Sequence, residues 1–143
     1  TVAREYTKRL IHDFSQGCEV TLVGSAELAS LAESALSGNA VRDADIASEL
    51  APCFVESGDA RTDTVVLACT HYPILLDRLK KLAPWPVAWT DPAPAIARRV
   101  VQLAGPAPNG AEDAGSGRTV FTSARPVRPA LAAALRERYL ASD

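Results

Sequence analysis

The sequence predicts an α/β fold, a parallel sheet flanked by helices, and three observations carry that expectation. Segments with apolar residues at helical spacing alternate with short apolar runs, the order expected of strand and helix units wound into one sheet. The run "TVVLAC", Thr64 to Cys69, is apolar on both faces, as a central parallel strand covered by helices should be. Glycines close the first two helical patterns, at Gly17 and Gly38.

In chain order, Val2 to about Gln16 carries Tyr6, Leu10, Ile11 and Phe14 on one face and reads as an amphipathic helix ended by Gly17. "CEVTLVGS" reads as a β-rich run, and "AELASLAESAL" as a helix closing at Gly38. "DADIASELAPCFVESG" reads as helical, with Pro52 at a kink or boundary. After the strand "TVVLAC", "YPILLDRLKKL" has Pro73 in its first turn, where a missing N–H is harmless, and basic residues in its last. "WPVAWT" is a further strand and "APAIARRVVQLAG" a further helix. Gly105 to Arg118 is rich in Gly, Pro, Asn and Asp and reads as an exposed loop, most mobile over 106 to 117. "TVFTS" then gives a strand, and "RPALAAALRERYL" a helix that ends the chain. Such a pair is too small for a domain, so it joins the preceding sheet or completes one whose other strands lie outside the chain.

A length of 143 residues allows one domain with a core, or one domain and part of another. The formal net charge of −2, with both signs interspersed, predicts no nucleic acid and no anionic membrane as partner, and points to a small molecule or a protein. No apolar run approaches the roughly 20 residues of a membrane span, and "TVAREYTKRL" lacks a signal-peptide core, so a cytoplasmic protein is expected. Cys18, Cys53 and Cys69 form no CxxC pair and fit reduced thiols. The chain contains no methionine, even at position 1, and is therefore expected to be processed, truncated or part of a longer protein.

The consecutive thiol, hydroxyl and imidazole of Cys69-Thr70-His71 stand at the carboxyl end of the strongest strand, where ligands bind in open α/β sheets. A cysteine there faces the positive end of the helix starting near Pro73, which favours thiolate. His71 is close enough to exchange a proton with it, and Thr70 offers a hydroxyl and a backbone N–H to a carboxylate. An isolated buried cysteine is most often a small core residue and an isolated histidine a surface group; the strand context favours a site. Zinc is not expected, since Cys69 and His71 have no second pair at ligand spacing and His12 lies far away in sequence. Cys18 and Cys53, each in or beside an apolar-patterned element, read as structural.

"LACTHYPIL" resembles the second-cysteine motif of the glutamate racemases, in the cofactor-independent aspartate/glutamate racemase superfamily. "REYTKRLI", "VTLVGSAELASLAE", "TDPAPAIARRV" and "VFTS" look like the corresponding family segments in the same order, so the resemblance covers essentially the whole chain and the later part of the family's length. It implies two similar α/β domains facing each other across a cleft. Residues 1–88 would form most of the second domain, and residues 89–143 would return to the first, which places the orphan strand and helix.

The resemblance also implies interconversion of L-glutamate and D-glutamate by a two-base mechanism with two cysteines and no cofactor, supplying D-glutamate for peptidoglycan. It assigns Cys69 to the L-face, His71 to assisting it and Thr70 to binding substrate, and it matches Glu33 in "SLAE" to an acidic residue that helps shape the active site. The segment before Glu33 departs from the commoner pattern, which has a cysteine and prolines where this chain has Ser25, Ala26 and Ser30. The family's first catalytic cysteine would lie upstream of Thr1. The partner implied is glutamate; whether two copies pair as a homodimer stays open. A racemase for aspartate or another amino acid and a non-catalytic carboxylate-binding module are the alternatives.

Overall fold

In the computed structural model, residues 4–15, 17–105, 117–122, 126–137 and 140–142 are described. Their helices are α1 (Glu5–Phe14), α2 (Leu28–Leu36), α3 (Asp43–Leu50), α4 (Leu76–Leu82), α5 (Ala93–Ala104) and α6 (Pro129–Arg136). The strands are β1 (Glu56–Ser57), β2 (Ala60–Arg61), β3 (Thr64–Val66), β4 (Ala88–Thr90), β5 (Gly117–Thr119) and β6 (Leu140–Ser142).

Backbone chemistry sets the helix limits. α2 ends in a Schellman turn: the N–H of Asn39 donates to the Ser34 carbonyl at 2.9 Å, and that of Gly38 to Ala35 at 3.0 Å. Gly38 adopts φ 77°, a conformation that side chains with a Cβ disfavour. Pro52 stands in a 3-10 turn, Ala51–Cys53, directly after α3, so it is a boundary and not a kink. Pro73 stands in a second 3-10 turn, Tyr72–Leu75, which leads into α4. The α-helix proper thus begins only at Leu76, farther from Cys69 than expected. Asp91 accepts from the Ala93 N–H at 2.9 Å and opens α5, which stops at Gly105.

The core is built by α2, α3 and the Tyr72–Leu82 segment on one face of β3. Its buried members are Leu28 and Ala32, Ile46 and Leu50, Val65 and Leu67, and Leu75 and Leu79. β3 and β4 are parallel, with Val65 opposite Trp89, and the intervening Tyr72–Leu82 segment makes the crossover of a βαβ unit. The N–H of Ala88 donates to Asp63 at 2.7 Å and that of Leu67 to Thr90 at 2.9 Å, extending the ladder at both ends. Arg78 fastens α4 to α3: its Nε donates to Asp43 at 2.8 Å and its guanidinium to the Val41 carbonyl at 2.7 Å.

The fold is α/β, as the alternation of patterns predicts, with local departures. Residues 18–25 form no strand, because alternation alone makes no ladder: Val20 and Leu22 are exposed and the segment has no hydrogen-bonded neighbour strand among the described residues. Residues 54–57 leave the helix and enter an antiparallel β1–β2 hairpin, turned at Gly58 with φ 59°. Thr62, just beyond, anchors it by accepting from the Val55 N–H at 3.0 Å and donating to the Cys53 carbonyl at 2.9 Å. β3 is covered on one face only, since Val66 is 59% exposed.

The strand expected at 119–123 begins earlier, at Gly117, and pairs in parallel with β6. That pairing replaces the last turns of the expected terminal helix, since α6 stops at Arg136 and residues 140–142 are extended. Most of the expected mobile loop, 106–116, lies outside the described residues. The domain boundary expected at 88/89 falls inside β4.

Candidate active site

Val65 and Leu67 point into the core while the chain runs on through Ala68, so the strand delivers Cys69 to the rim of the packed unit. There the backbone turns. The N–H of Tyr72 donates to the Cys69 carbonyl at 3.2 Å and that of Ile74 to the His71 carbonyl at 3.1 Å, which folds the three motif residues into one tight bend. Thr70 lies exposed at the tip, and Cys69 and His71 are half-buried on either side.

The bend brings Cys69 Sγ to 3.7 Å from His71 Nδ1. The other ring nitrogen, Nε2, lies 2.9 Å from Glu33 Oε1, a contact across 38 residues of sequence. An ionised carboxylate can only accept, so Nε2 carries a hydrogen and donates it. In the neutral ring Nδ1 is then left as an acceptor facing the thiol. Thiol, imidazole and carboxylate thus stand in the order of a nucleophile, its base and the group that orients the base. Side-chain exposures of 36% for His71 and 67% for Glu33 make this hydrogen bond a weak source of stability, so its consequence is the orientation of the ring.

Beside this arrangement lies a second polar group that sequence reading missed. Ser25 donates to Glu49 on α3, and its Oγ accepts from the Leu28 N–H at 2.9 Å. The Ser25 hydroxyl, then the backbone N–H of Glu27, hold the Glu49 carboxyl below the usual carboxylate range. Burial, followed by the charge of Cys69, pushes the Tyr72 phenol up, while a hydrogen bond with Ser25 opposes the shift. Ser25 ahead of an apolar helix was a legible capping signal; Glu49, 24 residues farther on, had none.

All three cysteines are free thiols. Cys53 packs against the core and burial pushes its thiol up, as a structural role requires. Cys18, expected to be structural, is instead exposed, because the segment around it forms no strand. A surface hollow of about 390 Å³ lined by Lys80, Trp85, Pro86, Val87 and Trp89 includes none of the expected site residues.

The fold and this site define an α/β chain with a Cys–His pair in a strand-to-helix bend and a carboxylate behind the histidine. Sequence comparison finds proteins that it resembles. The chain is 52% identical over 127 residues to a glutamate racemase of Rhizobium meliloti, covering 88% of this chain and 46% of that protein. With a glutamate racemase of Agrobacterium fabrum the identity is 51% over 127 residues, 88% of this chain and 46% of the relative. The crystal structure of Escherichia coli glutamate racemase in complex with L-glutamate and an activator, UDP-MurNAc-Ala, superposes with a TM-score of 0.76 at 32% identity, over 99% of this chain and 53% of that one. No protein-family model matches. The chain is thus similar to glutamate racemases over most of its own length and spans about half the length of the relatives it matches.

Proposed function

We propose that this chain is the later portion of a cofactor-independent glutamate racemase and carries one of two facing bases. Cys69 works the face on which L-glutamate loses its α-proton or, in the reverse direction, receives it as L-glutamate forms. As thiolate, its sulfur takes the proton while an acid on the opposite face, outside this chain, returns another, so no electrons change hands and no cofactor is required. His71 Nδ1 receives the Cys69 proton when the thiolate must be regenerated, and Glu33 keeps the ring in the tautomer able to do so. Thr70, exposed at the tip, offers its hydroxyl and the N–H groups of the bend to a substrate carboxylate.

The observation that carries this reading is the thiol–imidazole–carboxylate order at Cys69, His71 and Glu33 in a chain similar to glutamate racemases. In the same proposal residues 1–88 belong to the second domain and residues 89–143 return to the first. The D-glutamate so formed would enter peptidoglycan synthesis in the bacterial cytoplasm.

In the protein as its gene encodes it, Cys69→Ala is expected to lower turnover about a thousandfold or more in both directions, with glutamate binding retained. Loss of the circular dichroism of L-glutamate and of D-glutamate measures this, and residual racemisation within about tenfold of wild type refutes the role of the thiol. The 143-residue chain alone, holding one base of the pair, is expected to leave the signal of L-glutamate constant.

A further inference from the structure

The contact between Glu33 and His71 joins two exposed, flexible side chains, and such pairs hold a single geometry only when the backbones beneath them are fixed. His71 is fixed by its tight bend. Glu33 depends on α2, whose N-cap residue, Glu27, makes no side-chain capping bond. The cap comes from elsewhere. The Ser25 hydroxyl accepts from the Leu28 N–H and donates to Glu49 Oε2, and the same oxygen accepts from the Glu27 N–H at 3.3 Å. A carboxylate of α3 therefore grips the first turn of α2, the end at which negative charge is favourable. Tyr72, the residue directly after His71, packs against the same core as α2 and α3. Two helices thus meet at one hydroxyl, the one that carries Glu33 and the one that carries Glu49, and both pack in one core with the segment that follows Cys69 and His71.

We propose that Glu49, acting through Ser25, is a positioning residue that sets α2 against the bend so that Glu33 reaches His71 and His71 serves Cys69. This rests on reading Cys69 as the working thiol of the site. Glu49 touches neither the sulfur nor the imidazole, and its effect travels along α2 as a rigid element, since Leu28 and Ala32 on that helix are locked in the core with Ile46 of α3. The Ser25 pattern found here supplies an oxygen able to accept and donate at once.

The test is the alkylation rate of Cys69 by iodoacetamide near neutral pH, read on its peptide by mass spectrometry in the protein as its gene encodes it, with half-buried Cys53 as internal control. Glu49→Ala is expected to slow Cys69 alkylation about fivefold, because an unanchored Glu33 no longer holds the ring that receives the thiol proton. Glu49→Gln, whose amide oxygen still accepts from Ser25, restores the rate to within about twofold. Glu33→Ala slows it as well, and adding Glu49→Ala to Glu33→Ala brings less than about a twofold further loss, the mark of two residues in one line of action. The proposal is overturned if Glu49→Ala leaves Cys69 within twofold of wild type, if its effect persists undiminished in the Glu33→Ala background, if Glu49→Gln is as slow as Glu49→Ala, or if Cys53 becomes fast in parallel, which would signal general loosening. Racemisation of L-glutamate by the same samples separates this from the proposed function. A wild-type protein that shows the alkylation pattern without racemising glutamate retires the racemase reading and leaves the positioning role standing.

Discussion

Residues 28–90 and the helices on either side of them answer the same physical demand with opposite results. In the central stretch, α2, α3 and α4 turn apolar faces onto β3 and bury them, down to Ile46 and Leu79 without measurable exposure. α1 and α5 are just as clearly amphipathic, yet neither has a buried residue, and Phe14 and Leu103 are 83% and 71% exposed. Periodicity therefore says which face of a helix needs cover, and only the tertiary arrangement says whether cover is present. The candidate site lies wholly on the packed side of this divide, where positions can be held to fractions of an ångström.

Substitutions can break that contrast. The largest effect is expected at the centre: Ile46→Ala should cost about 2–5 kcal/mol, whereas Leu103→Ser should change the stability of this chain by no more than about 0.5 kcal/mol. Urea unfolding of the two variants gives both numbers, and equal losses would mean that α5 is buried after all. Next comes the junction where α2 meets α6. Gly38→Ala forces a side chain into φ 77° and sets its Cβ 2.8 Å from that of Ala130. A loss of about 1–2 kcal/mol is expected from the backbone alone, with a further part that depends on Ala130. A double-mutant cycle with Ala130→Gly separates them, and no coupling would show that the two helices do not meet in solution.

The smallest effect concerns Glu49. Its folded-state pKa is depressed by Ser25 and the Glu27 N–H, so its contribution to stability is present above the unfolded value and is lost as pH falls through the folded one. Wild type should therefore lose more stability than Glu49→Gln as the pH drops below about 4.3, the ordinary glutamate value. Urea midpoints of the two proteins at pH 6 and about pH 3 measure the difference, and parallel losses would remove Glu49 from the account of the packed side.

Much of the fold was legible because local chemistry decided it. Pro52, Pro73, Gly38 and Gly105 each mark an element limit for a reason contained in the residue itself. Residues 18–25 misled because a strand exists only through its neighbour, and the alternation of Val20 and Leu22 carries no information about one. The hairpin of 56–61 was hidden behind a helical pattern that continued past Pro52, although Gly58 was a visible turn signal. At the site, Cys69 and His71 were legible by adjacency and Glu33 by family resemblance, and the fold brings its carboxylate to the imidazole. Glu49 escaped, since its meeting with Ser25 depends on how α2 and α3 pack together.

β4 has a practical bearing on how this protein can be cut. A stop at residue 88 would leave Ala88 bonded to Asp63 but remove Trp89 and Thr90, and with them the acceptor of the Leu67 N–H. The strand that delivers Cys69 would lose most of its ladder and become a bare edge, a template on which other copies could stack. The natural seam lies just beyond, at Asp91-Pro92, where proline has no N–H to extend the sheet and aspartate already turns the chain into α5. A piece that keeps this ladder whole must therefore run through Thr90.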